Sequence, residues 1–254
     1  MAKAPRPGQR LDQRLDQRLV ELGLAESRQK AQGLILAGLV RINGQPARKA
    51  GQPAPPGAAI SVDGPEHPYV SRGGVKLAGA LDHFGLDVTG LRCLDLGIST
   101  GGFSDCLLMR GAAAITGVDV GYGQLAWKLR QDPRVTLHER VNARSLPPDM
   151  APGPFDLCVL DVSFISLTLV LPQAPPRLVP GGRILCLVKP QFEAGREWVG
   201  PGGVVRDQAA RQAAVDKVAA CLTGLDLQVQ GQCRSPIPGP AGNIEFFLLA
   251  VLPG

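Results

Sequence analysis

The sequence contains no long apolar run, and aromatic residues are scarce. No apolar stretch approaches the ~18 residues that a membrane-spanning helix needs, which argues against a membrane channel. The basic N-terminus, residues 1–10, is not followed by an apolar signal core, so we expect a cytoplasmic rather than a secreted protein. Aromatic residues make up only 4% of the chain, which argues against a single-strand nucleic-acid binder built on base stacking.

Cysteine is present, but not in the spacing of a metal site or a redox motif. None of the six cysteines forms a CxxC pair, and several lie inside apolar runs. We interpret them as small buried hydrophobic residues in a reducing cytosol. The three histidines are scattered, so we expect no metal. The cysteines are Cys93, Cys106, Cys158, Cys186, Cys221 and Cys233.

The charge is concentrated at one end of an otherwise ordinary globular composition. Hydrophobic residues make up 44% and charged residues 19% of the 254 residues, which leaves room for a large and a small domain. Residues 1–63 contain ten basic and five acidic residues, an excess that equals the formal net charge of the whole chain, +5. This pattern indicates a polyanion-binding region joined to a neutral body, with a merely solvated surface as the alternative.

The first 63 residues are predicted to contain two helices and two short strands. Leucines recur at helical spacing over 15–22 and stop at Gly23, and we interpret the repeated Gln-Arg-Leu-Asp tetrad over 9–16 as an extended start of this helix. Ser27 is a suitable N-cap for a second helix that ends near Gly38. The strands are expected at 39–44, which ends in an Asn-Gly turn, and at 59–62. We therefore expect a small α+β domain over 1–63, a linker over 64–68, and a second domain over 69–254.

From Tyr69 onward, apolar strands alternate with amphipathic helices. This alternation predicts an α/β fold with a mainly parallel sheet that is covered on both faces. Helices are expected after Gly102, Gly123, Ser166 and Arg206. Strands are expected over 93–96, 115–120, 135–137, 157–161, 184–188, 225–229 and 244–251. Ligands of such sheets bind beyond the carboxyl ends of the strands.

A glycine-containing turn over 94–103 joins the first of these strands to a helix. Asp119 ends the next strand, 22 residues after Gly97, a spacing that suits a carboxylate bound to a ribose diol. A dinucleotide-binding turn would have glycine where Ser99 stands, and Asp95 would repel a phosphate but favour a cation. The pattern therefore favours S-adenosylmethionine over NAD, with an unliganded tight turn as the alternative.

Four ionisable residues lie near the ends of predicted strands. Asp161 and Lys189 directly follow apolar runs, Glu245 opens the last strand, and Lys76 precedes the first. If the last strand runs antiparallel to the others, all four groups meet above one cleft. Charges at the ends of buried strands are energetically costly without partners, which favours a shared site. The alternative, which the spacing leaves equally open, is that the four residues are separate surface charges or helix caps.

Several longer segments carry a resemblance to known families. Residues 69–254 resemble the FtsJ-type ribose 2′-O-methyltransferases, residues 14–62 resemble the alpha-L, S-four-like RNA-binding domain, and the whole chain resembles the TlyA (haemolysin A) family of rRNA methyltransferases. The matching segments are 69–74, 99–103, 119–127, 142–144, 161–167, 187–193, 202–205 and 239–245. The haemolysin label receives no support from the composition.

The resemblance implies a fold and an activity. The fold would be a Rossmann-like class I methyltransferase sheet with a small N-terminal RNA-binding domain. The activity would be S-adenosylmethionine-dependent 2′-O-methylation of cytidine in ribosomal RNA, in the small subunit, with large-subunit sites as a further option. The partner would be ribosomal RNA within ribosomal subunits, with no membrane and no metal.

The resemblance also implies site residues. The family's Lys-Asp-Lys-Glu tetrad maps onto the four ionisable residues already described, in which Lys189 would be the general base and Asp161 would orient it. Ile98 departs from the family by its size, which would narrow the methionine pocket. The cofactor-binding set is Asp95, Gly97, Ser99, Thr100, Gly101, Gly102, Phe103, Asp119 and Asn142. Asn142 would contact the adenine end or order its loop, with a plain surface loop as the alternative.

The basic residues of the first domain are candidates for phosphate contacts, although each alone could be a solvated charge. They are Arg14, Arg18, Arg28, Lys30, Arg41 and Lys49. Three other functions compete with the enzyme: a non-catalytic RNA-binding ribosome assembly factor that retains the fold, a small-molecule methyltransferase, and, as a distant third, a pore-forming toxin.

Overall fold

The computed structural model describes residues 13–25, 27–36, 38–47, 49–55, 57–62 and 67–254. The chain divides into two compact units, Met1–Pro68 and Tyr69–Gly254. Most of the predicted linker, 64–68, lies outside the described residues, so the linker and the predicted domain boundaries stay predictions. No helix of the described residues has both the length and the apolar character needed to cross a membrane.

The smaller unit has two helices and two small antiparallel sheets. Strand β1 pairs with β4, and β2 lies between β3 and β5. Its core is formed by apolar side chains of both helices together with Val40. The elements are β1 (Gln13–Arg14), α1 (Leu15–Glu21), α2 (Arg28–Leu36), β2 (Val40–Ile42), β3 (Gln45–Pro46), β4 (Pro53–Ala54) and β5 (Ile60–Val62).

Most of the predicted features of this unit are present, but the extended helix start is wrong. Helix α1 begins at Leu15, because residues 13 and 14 pair with β4 and the Leu15 amide donates to the Gln52 carbonyl at 3.0 Å. The rest of the tetrad repeat, 9–12, lies outside the described residues. The Asn43-Gly44 turn is confirmed, with φ of 50° and 78°, the left-handed values that a tight hairpin requires.

The larger unit is a seven-stranded sheet with helices on both faces. The strand order is β11-β12-β10-β9-β6-β7-β8; β12 is antiparallel to both of its neighbours, and the other neighbouring pairs are parallel. From β6 the chain continues to β7 and β8 on one side of the sheet and then returns to β9 on the other side of β6. Ligands of such sheets bind at this switch point between β6 and β9. The elements are α3 (Gly73–Phe84), β6 (Arg92–Leu96), α4 (Gly102–Met109), β7 (Ala114–Asp119), α5 (Trp127–Arg130), β8 (Val135–Glu139), β9 (Phe155–Leu160), β10 (Leu178–Val188), α6 (Pro190–Glu193), α7 (Gln208–Gly224), β11 (Gln228–Arg234) and β12 (Phe246–Val251).

Two hydrophobic clusters cover the two faces of this sheet. Along β9, Leu157 and Val159 point to the cluster that contains α3 and α4, whereas Cys158 and Leu160 point to the cluster that contains α7. This alternation is the period of two expected of a strand that is buried on both faces. All six cysteines are free thiols, four of them buried, and burial raises the pKa of Cys93 to about 12. The interpretation of the cysteines as buried hydrophobic residues therefore holds for those four.

Several elements differ from the sequence prediction. Helix α3, which carries Lys76, was not predicted, because it begins with two glycines. The segment after Ser166 forms three short 3₁₀ turns over 167–177 rather than a helix, because prolines remove backbone donors. Strand β11 begins at Gln228, since α7 runs to Gly224 and the Leu227 amide still donates back to the Leu222 carbonyl.

Candidate active site at the carboxyl edge of the sheet

The loop from β6 to α4 requires glycine at particular positions. Gly97 has a φ of +90°, and a Cβ atom there would lie 2.9 Å from the Asp161 carbonyl oxygen. Gly101 has a φ of +93°, and a Cβ atom there would collide with the side chains of Leu125 and Leu129. The loop therefore lies against the end of β9 and against the segment before α5, which brings the ends of β6, β7 and β9 together.

Asp119, at the end of β7, connects this loop to the next one. Its Oδ2 atom accepts a hydrogen bond from the Ser99 amide at 2.8 Å, and its Oδ1 atom accepts one from the Gly121 amide at 2.6 Å. A carboxylate has about four acceptor positions, so both oxygens can accept a further bond from a ligand. The Asn142 side chain caps a 3₁₀ turn by accepting from the Arg144 amide at 3.0 Å.

Two adjoining cavities open at this edge, and they share five lining residues. The larger, of about 700 Å³, contains the glycine loop, and the smaller, of about 480 Å³, contains Asp119 and Asn142. The shared residues are Gly97, Ser99, Asp161, Ser163 and Phe164. Of the predicted cofactor-binding set, Thr100, Gly102 and Phe103 line the larger cavity as well.

Asp95 and Gly101 are not among the lining residues of either cavity. Asp95 is fully buried, and its Oδ2 atom accepts a hydrogen bond from the Ser104 hydroxyl at 2.7 Å. Burial raises the pKa of Asp95 to about 7, although the Ser104 bond opposes this shift. The structure thus places Asp95 behind the loop, where it supports α4; a direct contact between Asp95 and a ligand stays a prediction.

The four ionisable residues singled out in the sequence all line the larger cavity. Lys76 Nζ lies 2.5 Å from Glu245 Oε2, and both residues are buried. Lys189 Nζ lies 2.7 Å from Asp161 Oδ1, in an ion pair that lacks the alignment of a hydrogen bond. Two lysine–carboxylate pairs therefore line the same cavity. Lys76 of α3 pairs with Glu245, which precedes β12, and Lys189, which follows β10, pairs with Asp161, which follows β9.

Glu245 has one oxygen that is free to accept a bond from a ligand. Its Oε1 atom is buried and has no hydrogen-bond partner within the described part of the chain. Gly239 approaches this atom so closely that a Cβ atom there would lie 2.5 Å away. Buried carboxylate oxygens are normally satisfied, so an unpartnered one at a cavity wall suits a ligand hydroxyl or cation.

Three residues that build this site were not predicted from the sequence. Ser163 Oγ accepts a hydrogen bond from Lys189 Nζ at 2.7 Å. Asn243 is buried and joins two loops. Its Oδ1 atom accepts a hydrogen bond from the Val205 amide, and its Nδ2 atom donates one to the Gly203 carbonyl. Glu193 is also buried, and its carboxylate accepts hydrogen bonds from the segment that follows Ser163. The only signal in the sequence was the position of these residues inside the segments that resemble the families.

Ile98 is largely accommodated by the sheet. It is 3% exposed, and its side chain lies against Gly117 of β7, where a Cβ atom would collide with it. The side chain of Ile98 is therefore accommodated mainly by the space above Gly117, although Ile98 also lines the larger cavity. A narrowed methionine pocket stays a prediction.

In the smaller unit, two of the predicted phosphate-binding residues converge on a buried carboxylate. Arg14 and Arg28 lie 3.0 Å and 3.2 Å from Asp16 Oδ2, and about half of each arginine side chain is exposed. The Arg14 hydrogen bond, helped by Gln32 and Arg28, holds the pKa of Asp16 well below its usual range. Arg18 pairs with Glu21 at 3.3 Å.

The remaining basic candidates are Lys30, Arg41 and Lys49. Lys30 and Lys49 are exposed, and Arg41 is half-buried with its guanidinium 3.5 Å from the Gly44 carbonyl. A phosphate-binding role for any of the six stays a prediction. The described residues also contain no group of three or more His, Cys, Asp or Glu side chains that could hold a metal ion.

The residues at the cavity fit S-adenosylmethionine better than a phosphorylated cofactor. The Asp119 carboxylate, which has acceptor positions left on both oxygens, suits a ribose diol and would repel a phosphate. Lys189 and Lys76 balance the charges of Asp161 and Glu245. The glycine loop and Asp119 are the residues that would hold it.

Comparison with known proteins agrees with this geometry. Residues 69–251 match the family of FtsJ-like methyltransferases, and residues 13–60 match the S4 domain. The 16S/23S rRNA (cytidine-2′-O)-methyltransferase TlyA of Mycobacterium tuberculosis is 52% identical over 231 residues, which are 91% of this chain and 86% of that protein.

Two solved structures extend the comparison to the fold. A protein from Streptococcus thermophilus, described as a hemolysin candidate, has a TM-score of 0.73 at 42% identity and covers 95% of this chain and 88% of its own. An S-adenosylmethionine-dependent methyltransferase from Mesorhizobium loti has a TM-score of 0.50 at 18% identity, covers 68% of this chain and 96% of its own, and supports the fold alone.

The predicted fold class is therefore confirmed, and the methyl donor is S-adenosylmethionine. The chain thus combines an FtsJ-like methyltransferase domain with an S4 domain, and it is 52% identical to a TlyA protein over 91% of its length. It belongs to the TlyA family of FtsJ-like methyltransferases that carry an S4 domain.

Proposed function

We propose that this chain transfers the methyl group of S-adenosylmethionine to the ribose 2′-hydroxyl of cytidine in ribosomal RNA, in the small subunit, with the large subunit as a second target class. The observation that carries the proposal is the pair of lysine–carboxylate contacts in one cavity beside the glycine loop. The name of the relative from Mycobacterium tuberculosis supports the substrate.

Lys189 is the proposed general base. A 2′-hydroxyl is a weak nucleophile until it loses its proton, and Lys189 can accept that proton only as a neutral amine. The Asp161 carboxylate, whose Oδ1 atom lies 2.7 Å from Lys189 Nζ, stabilises the ammonium that forms when Lys189 accepts the proton. A positioned base contributes ~10²–10⁴-fold to the rate of such reactions.

Glu245 and Lys76 are proposed to position the ribose. Their contact of 2.5 Å fixes the Glu245 carboxylate through Oε2 and leaves Oε1 to accept a hydrogen bond from the sugar. S-adenosylmethionine, when bound, supplies an activated methyl group on a sulfonium. The residues proposed to hold it are Gly97, Ser99, Thr100, Gly102, Phe103, Asp119 and Asn142, with Asp95 and Gly101 supporting the loop.

The RNA substrate is proposed to be ribosomal RNA within ribosomal subunits. An RNA substrate follows from the S4 domain and the family. The exposed basic side chains of the smaller unit would contact phosphates, which position a folded RNA without reading its sequence. A cytoplasmic location and the absence of a metal or membrane partner stay predictions.

Tritium transfer from methyl-labelled S-adenosylmethionine to isolated ribosomal subunits tests the proposal. We expect the wild type to be active, and we expect Lys189→Ala and Asp161→Ala to lose at least about 10²-fold in kcat. Their affinity for S-adenosylmethionine, measured by calorimetry, should stay within about threefold of the wild type. Lys128→Ala, which removes a lysine with a 54% exposed side chain in the same domain, is the matched control.

The assay also separates the competing functions. A wild type that binds subunits without transferring label would indicate a non-catalytic assembly factor. Label that enters small molecules but not RNA would indicate a small-molecule methyltransferase. Near-normal transfer by Lys189→Ala would refute the assignment of the base.

A further inference from the structure

The directional contact of Lys189 is with a neutral hydroxyl rather than with its carboxylate partner. Lys189 Nζ donates a hydrogen bond to Ser163 Oγ at 2.7 Å. The Asp161 Oδ1 atom lies equally close, but without the alignment of a hydrogen bond. Asp161 therefore supplies charge, whereas the direction of one N–H bond of Lys189 is set by Ser163.

We propose that Ser163 is a positioning residue of the methyltransferase: it holds one N–H of neutral Lys189 so that the nitrogen lone pair faces the cavity where the 2′-hydroxyl binds. This inference rests on the proposed function, in which Lys189 is the base. A neutral amine has two N–H bonds and one lone pair, so fixing an N–H restricts where the lone pair can point. Ser163 and Lys189 both line the larger cavity, and Lys189 is 8% exposed, so few other directions lead to a substrate.

A hydroxyl suits this role better than a second carboxylate would. An additional negative charge beside Lys189 would strongly favour the ammonium, which cannot accept a proton. The Ser163 hydroxyl accepts an N–H from either protonation state and adds no net charge. The sequence thus places a charged partner and a neutral partner, two residues apart, on one nitrogen.

The backbone around Ser163 is fixed independently of its hydroxyl. On one side it follows β9; on the other, Glu193 Oε1 accepts from the Leu167 amide at 2.6 Å and Oε2 accepts from the Ser166 hydroxyl at 2.5 Å. Lys217 completes this anchor at 3.2 Å from Glu193. Removing the Ser163 hydroxyl should therefore change the contact with Lys189 without moving the loop.

The test compares Ser163→Ala and Ser163→Thr in the full chain, with isolated ribosomal subunits as substrate. We expect Ser163→Ala to lower kcat about tenfold or more, while KM for subunits and the affinity for S-adenosylmethionine stay within about twofold. Threonine keeps the hydroxyl, so Ser163→Thr should restore kcat to within about threefold. Ser145→Ala, which removes an exposed serine, is the control.

The outcomes distinguish the two proposals. Wild-type kcat in Ser163→Ala, or a Ser163→Thr variant as slow as Ser163→Ala, would overturn the role of Ser163. If Lys189→Ala also kept its activity, the proposed function would fail as well. An inactive Lys189→Ala beside a normal Ser163→Ala would refute only the inference about Ser163.

Discussion

Replacing the buried carboxyl of Asp95 by an amide should change how stability depends on pH. Asp95 is fully buried under the cofactor loop, and burial raises its pKa from 3.8 to about 7. A carboxyl with a higher pKa in the folded than in the unfolded protein binds its proton more tightly when folded. Its contribution to stability is therefore complete below pH ~4 and is lost as the pH rises towards 7.

The size of this effect follows from the two pKa values. The difference is roughly three pH units, and each unit corresponds to ~1.4 kcal/mol, so ionisation of Asp95 costs the folded state up to about 4 kcal/mol at pH 8. Relaxation around the charge lowers this figure, and we expect about 2–4 kcal/mol. Asp95→Asn keeps the shape without the charge and should escape this loss.

Urea unfolding of the wild type and Asp95→Asn, followed by tryptophan fluorescence from pH 4 to pH 9, measures the difference. Both tryptophans, Trp127 and Trp198, lie in the larger unit, so the signal reports this unit alone. The free energy of unfolding of Asp95→Asn, relative to the wild type, should rise between pH 4 and pH 7 and then level off. Asp149→Asn, which replaces an exposed carboxylate, is the control. Parallel curves for Asp95→Asn and the wild type would show that folding does not raise the pKa of Asp95.

Three further predictions concern the smaller unit and the glycine loop. Asp16→Ala should destabilise α1 and α2 by about 2–3 kcal/mol, because a buried acceptor for Arg14 and Arg28 is lost. The rate of amide hydrogen exchange over 13–36 should therefore rise, while the rate in the larger unit stays unchanged. Because the pKa of Asp16 is lowered on folding, its contribution is present above pH ~4 and is lost in more acidic solution, so wild type and variant should converge there. Gly97→Ala should weaken S-adenosylmethionine binding at least about tenfold by calorimetry, since a Cβ would meet the Asp161 carbonyl; unchanged affinity would remove the loop from the site. Replacing three basic residues by glutamine should reduce the slope of log affinity for ribosomal RNA against log salt concentration by up to about 3, and an unchanged slope would remove them from the interface. Those residues are Lys30, Arg41 and Lys49.

The sheet could be predicted because its strands are continuous apolar runs. Segments such as 157–160 and 184–188 are buried on both faces, so the sequence needs no alternation to mark them. The edge strand β11 alternates between exposed and half-buried residues. It begins three residues later than the apolar pattern predicts, because the amides of Leu225 and Leu227 donate hydrogen bonds back to the last turn of helix α7. The segment after Ser166 resembles a helix in sequence because Leu167, Val170, Leu171 and Ala174 recur at helical spacing, but its prolines break it into 3₁₀ turns.

The meeting of the four ionisable residues could be anticipated only in part. Asp161, Lys189 and Glu245 lie next to strand ends, whose shared edge follows from the fold. Lys76 reaches the same cavity because it lies on α3. The sequence does not predict this helix, because it begins with two glycines, which are poor helix formers. The hydrogen bonds of Ser163 depend on the turn after β9, which no local pattern specifies.

The proposed activity, ribose methylation of ribosomal RNA through Lys189, can be tested in cells. The most direct measurement is a map of 2′-O-methylation across ribosomal RNA from cells with the wild-type gene, without the gene, and with Lys189→Ala. We predict one or more cytidines that are methylated only in the presence of the wild type. Identical maps in all three cells would show that this chain does not methylate ribosomal RNA, and full methylation with Lys189→Ala would show that Lys189 is not the base.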